Sequence, residues 1–122
     1  MKEVVTVMKK LLILPLAAVA AACISAPPPA PPAPYRALGT EPFWNLIIDN
    51  QELTFIPMDG PQVRQPRPQP IMGVAGEIYR TPRINVNIVR NQRCSDNMSD
   101  RVYPDRVQVD VDGRRFEGCG GA

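Results

Sequence analysis

The sequence has no histidine and only three cysteines. Without an imidazole, a thiol or hydroxyl nucleophile lacks its usual base, and the few thiolates make a poor zinc site on their own. Lysine is nearly as scarce: Lys2, Lys9 and Lys10 are the only three, all within the first ten residues. Beyond residue 22, 11 arginines face 11 acids. A net-neutral body argues against nucleic-acid binding, which draws its affinity from neutralised phosphates. No stretch sustains a helical period. The longest apolar run, Leu11–Ala22, has 12 residues and as a helix spans about 18 Å, against roughly 30 Å of bilayer hydrocarbon. The 122 residues leave room for one domain.

What the front of the chain does contain is an address. In "MKKLLILPLAAVAAAC", Met8–Cys23, two lysines precede an apolar run, and small residues lead into a cysteine. This is the n-region, h-region and cleavage pattern of a secretory signal. Met8-Lys9-Lys10 also reads as a better start than Met1-Lys2-Glu3. "AAAC", Ala20–Cys23, resembles the lipobox of bacterial lipoproteins, with Ala20 where leucine is commonest. The resemblance implies cleavage before Cys23 and a diacylglycerol on its thiol. Ile24, in place of an aspartate, implies the outer membrane, with the chain facing the periplasm. Residues 1–22 are thus expected to be a lipoprotein signal peptide. Residues 23–34 follow as a lipidated Cys23 and a Pro/Ala-rich tether ending in "APPPAPPAP". Proline fixes φ and removes a donor, so the tether is expected to be extended polyproline II with a reach of roughly 30–40 Å.

Residues 35–122 read as a small β domain. "FWNLIID" sets Trp44, Leu46 and Ile48 on one face, and "ELTFIP" sets Leu53 with Phe55. "RINVNIVR" alternates Ile84, Val86 and Ile88 with polar partners, as "RVQVDV" does with Val107, Val109 and Val111. Period two is the signature of half-buried strands. "DNQ" at Asp49–Gln51 and "DG" at Asp112-Gly113 are hairpin turns, Phe116 in the last strand is expected to point inward, and "GEIYRT" is a weaker strand. "PQVRQPRPQPIMG", Pro61–Gly73, holds four prolines. Proline removes ladder donors, so this segment can be only a loop or an edge. The expected class is all-β, a small antiparallel barrel or sandwich of five to eight short strands.

An 88-residue domain buries only about 60–65% of its unfolded surface and is marginal without a staple. With Cys23 lipidated, an exported chain keeps two cysteines, and Cys94 with Cys119 is the expected disulfide. Closing a loop of about 25 residues is worth roughly 3 kcal/mol. The rival readings of "RCSDNMSDRVYP", Arg93–Pro104, are a catalytic thiol, a zinc pair and a calcium loop. The first two lack histidine, and the third lacks EF-hand spacing. Asp96 and Asp100 are expected to turn the backbone locally. Arg101 is expected to bridge to Asp96, Asp100 or loop carbonyls, and Tyr103 to close one end of the core.

"YRALGTEPFWNLII" (Tyr35–Ile48), "TPRINVNI" (Thr81–Ile88) and "CSDNMSDRVYPDRVQVDVDGRRFEGCG" (Cys94–Gly120) resemble a family of small bacterial envelope proteins, often lipoproteins. Its members share a G-T-E-P-F-W start, a C-S-D-x-M-S-D-R-x-Y-P block and a closing G-C. The resemblance implies that Trp44 anchors the core, and it brings no activity with it. Asn97 stands where glycine is frequent, and a left-handed residue would tolerate either. Glu41, just before Pro42-Phe43-Trp44, is a candidate partner for Arg101. The function expected is that of a non-enzymatic binding or interaction module, without metal or cofactor. It would be held to the membrane by its lipid and would bind an envelope protein or glycan. A lysozyme-inhibitor-like protein, similar only in architecture, and a structural part of an envelope assembly are the alternatives.

Overall fold

The computed structural model describes residues 26–30 and 32–121. The expected signal peptide and the expected lipidation of Cys23 lie outside the described residues. The chain divides into two units, Met1–Ala30 and Pro31–Ala122. In the first, residues 26–30 have no helix or strand.

The second unit is all-β, as the alternating pattern requires. Its strands are β1 (Tyr35–Thr40), β2 (Phe43–Ile48), β3 (Glu52–Pro57), β4 (Val63–Pro66), β5 (Ile71–Met72), β6 (Gly76–Arg80), β7 (Ile84–Val89), β8 (Cys94–Ser95), β9 (Val102–Tyr103), β10 (Asp105–Val111) and β11 (Arg114–Gly120). Eight have four residues or more, at the top of the expected range. Three two-residue pieces, β5, β8 and β9, raise the number among the described residues to eleven.

Nine strands form one curled antiparallel half-barrel in the order β4-β3-β2-β1-β11-β10-β7-β6-β5, and β8 pairs with β9. The proline-rich segment supplies both edges, β4 and β5, where its missing donors cost no ladder bonds. Contacts cross the opening from the β4 side to β6 and the β6–β7 turn. Gln65 Oε1 accepts from Arg83 N at 3.3 Å, and the Arg67 guanidinium lies over the Tyr79 ring at 5.5 Å.

The concave face holds the core: Trp44, Leu46, Ile48, Leu53, Phe55, Ile84, Val86, Ile88, Val107, Val109, Val111 and Phe116 are all buried there, as their period-two positions require. Trp44 packs against Phe55 and Phe116 with ring centroids 5.9 and 6.4 Å away. Its indole crosses two glycines, and a Cβ on Gly39 or Gly118 would run into it. The turns are as expected. Asp49 Oδ1 accepts from the amides of Gln51 and Glu52. Asp112 and Gly113 both have positive φ, 50° and 86°, which a two-residue type I′ turn demands.

Tyr103 does not close the core. It is buried, but it pairs with Cys94 in the small sheet and lies outside the concave cluster. Tyr35 occupies that role instead, packed against the core and donating from its hydroxyl to Asp105 Oδ2 at 2.9 Å. Arg90 binds the same oxygen at 3.0 Å and grips Glu77 with two nitrogens at 2.6 and 2.8 Å. Its guanidinium lies 5.1 Å from the Tyr35 ring centroid. Asp105 is 2% exposed, so its charge is tolerated only because this cation and hydroxyl satisfy it.

Candidate functional site

Partners in register share a face of the sheet. Trp44 faces the core and pairs with Gly39, so Leu38 faces outward, and Leu38 pairs with Cys119. The disulfide from Cys94 to Cys119 therefore lies on the convex side. It fastens the β8–β9 hairpin onto the outside of the sheet and leaves Cys119 1% exposed. The oxidised pair expected from the sequence is present, with Cα atoms 5.5 Å apart.

The hairpin is held elsewhere too. Thr40 Oγ1, at the end of β1, donates to the Asp96 carbonyl at 3.1 Å. The Asp96 carboxylate accepts from the amides of Met98 and Ser99 and from the Ser99 hydroxyl, all at 2.8–2.9 Å. Those donors, Ser99 N first, hold its carboxyl below the usual aspartate range. Ser99 Oγ in turn accepts from Arg101 N at 3.2 Å. Asn97 has φ 61°, the left-handed position where asparagine or glycine fits. Asp96 thus turns the backbone as expected.

Arg101 behaves otherwise. Among the described residues it forms no salt bridge with Glu41, Asp96 or Asp100, and its guanidinium lies over the Tyr103 ring at 5.3 Å. A short hairpin that crosses the sheet carries Arg101 to the β2–β3 side, while Glu41 stays at the end of β1. The expected pairing of Glu41 with Arg101 is therefore replaced by cation–π stacking. Asp100 is exposed, and Trp44 serves the core alone.

Two grooves flank the hairpin. One, about 290 Å³, is polar and open. It runs between Cys94–Asn97 and the ends of β1, β10 and β11, lined by Thr40, Glu41, Asp96, Arg106 and Glu117 among others. Three of those five side chains are acids and one is a base, so it offers acceptors to a cation or to sugar hydroxyls. The other, about 210 Å³, is more apolar and lies between Arg101 with Tyr103 and the outward Leu38, Asn45, Ile47 and Ile56. The G-T-E start, the C-S-D-N block and the closing G-C, distant in sequence, meet at the first groove. Arg106 and Glu117 were not singled out in sequence. Their alternation with Val107 and Phe116 places them outward, which was the available signal. Among the described residues no group of three His, Cys, Asp or Glu side chains is placed to hold a metal ion. No described helix is long and apolar enough to cross a membrane.

No protein-family model matches the chain, and no curated protein or solved structure is significantly similar to it.

Proposed function

We propose that this chain is a lipid-tethered module of the bacterial envelope, anchored through Cys23 in the outer membrane and facing the periplasm. Its outer-face hairpin binds a protein or glycan partner. One observation carries the reading: the staple is spent on the convex side, fixing a polar loop that the concave core does not need. Rigidly held loops on a scaffold are where recognition residues gather. The resemblance to small envelope lipoproteins, carried by Gly39–Trp44, Cys94–Pro104 and Gly118-Cys119, points the same way.

A photo-crosslinking residue at Ser95 or Val102, on the hairpin, tests this in cells. The expected result is a discrete adduct that disappears when Glu41 and Asp96 are both changed to alanine, with no adduct from a probe at Arg114. Adducts of equal strength from both sites would refute the assignment. The lysozyme-inhibitor reading is favoured by the acidic groove, which suits a basic partner. Full lytic activity of lysozyme in the presence of excess protein would dismiss it.

A further inference from the structure

We infer that the tip of the β5–β6 hairpin, Ile71 to Ala75, docks in the lipid interface; this rests on the lipid-tether reading above. The tip differs from the other turns of the domain. Glu41-Pro42, Asp49–Gln51, Asp59-Gly60, Thr81–Arg83, Asn91–Arg93, Asp96–Asp100 and Asp112-Gly113 each carry an acid, an amide or an arginine, as solvated turns do. Ile71–Ala75 carries none of these. Ile71 and Met72 are 50% and 70% exposed, and Val74 is fully exposed. The turn is closed by Gly73 N donating to the Gly76 carbonyl at 2.7 Å, so these side chains stand out from a defined structure.

Position selects the occupant. Arg90 N donates to the Ala75 carbonyl at 2.8 Å, and the Arg90 guanidinium lies over the Tyr35 ring. Tyr35 is where the tether joins the domain. The apolar tip and the tether attachment therefore share one end of the half-barrel. The adjoining turn presents Arg93, exposed, at the level where lipid phosphates would lie. A convex apolar tip beside a basic turn suits a bilayer interface with anionic headgroups, whereas a protein partner would need a matching pocket. The tether also removes the need for high affinity. A reach of roughly 30–40 Å keeps the tip at about millimolar effective concentration over the membrane.

The test uses the full lipidated chain in vesicles of phosphatidylethanolamine and phosphatidylglycerol. An environment-sensitive fluorophore is placed at V74C, or at D59C beyond the far end of β3. Flotation and intact mass report the anchor; emission and quenching by brominated acyl chains report the tip. We expect the chain to float, the Val74 probe to emit blue-shifted and severalfold more strongly quenched than the Asp59 probe, and M72D to abolish that difference without affecting flotation. A chain that floats with water-like emission at both positions overturns the docking and leaves the anchor standing. A chain without acyl mass that fails to float overturns the anchor, and the docking with it.

Discussion

Replacing both Cys94 and Cys119 by serine separates the stability of the core from the fixing of the hairpin. The sequence separation of 25 gives about 3.5 kcal/mol of chain-entropy stabilisation at 25 °C. A domain of about 88 residues has roughly 4–13 kcal/mol in total, so the double variant still folds. Its Tm should fall by about 14–28 °C, at about 4–8 °C per kcal/mol for this size. The location of the disulfide adds a second expectation. Cys119 faces outward from β11, so its loss releases the β8–β9 hairpin first. In native buffer, amides of residues 94–103 should lose hydrogen-exchange protection while those of β2, β7 and β10 keep theirs. Thermal melts and hydrogen exchange read by mass spectrometry give the two quantities. An unchanged midpoint would refute the energetic argument. Loss of protection in β2 together with the hairpin would refute the claim that the bond serves the outer face.

Other outcomes follow from the same contacts. G118A should cost about 1–3 kcal/mol by overpacking, because its Cβ meets the Leu38 backbone carbonyl and the Trp44 ring; a urea midpoint measures it. Burial, then the hydrogen bond to Asp105, pushes the Tyr35 hydroxyl above the ordinary tyrosine range. Its contribution is therefore complete below about pH 10 and lost as pH rises further, and Y35F should flatten the alkaline limb of the stability–pH curve. The Arg90 hydrogen bond holds the Glu77 carboxyl below its usual range. That contribution is present above about pH 4.3 and lost as pH falls through the folded value, so R90Q should flatten the acid limb. E41Q and R101Q should be additive within about 0.5 kcal/mol, since Arg101 stacks on Tyr103; a larger coupling in a double-mutant cycle would restore the pairing that the structure replaces.

The inward residues were legible because alternation is clean in β2, β7 and β10: Ile84-x-Val86-x-Ile88 needs no partner to reveal its face. The same rule, carried one step past the apolar run, would have found the end of the core. Arg90 continues the inward set after Ile88, and Asp105 precedes Val107 in the same phase. Two opposite charges at inward positions on neighbouring strands are a pairing signal. The dense polar block Arg93–Asp100 that lies between them masks that signal. Tyr103 was misplaced for a different reason. Its phase relative to Val107 matches the core, but Pro104 intervenes and interrupts the register. The chain there changes sheets, so parity counted across the proline carries no information. The edges were foreseeable in kind, since prolines bar a central place, but their positions depend on how far the sheet curls.

The two faces of this sheet follow separate physical demands. The concave face is closed by aliphatic side chains, one indole over two glycines and a satisfied ionic cluster at its end. None of these involves the Cys94–Tyr103 hairpin. A domain near the lower size limit would gain most if its one covalent link joined elements of that core. Here the link instead immobilises a polar loop against Leu38 and Cys119 on the convex side, with Thr40 and Asp96 completing the attachment. Fixing polar side chains in one geometry costs conformational entropy that exposed loops ordinarily keep. That cost is recovered when a partner binds, because a preorganised surface has less order left to lose. The distribution of bonds on this convex face is thus what supports the recognition role proposed for it.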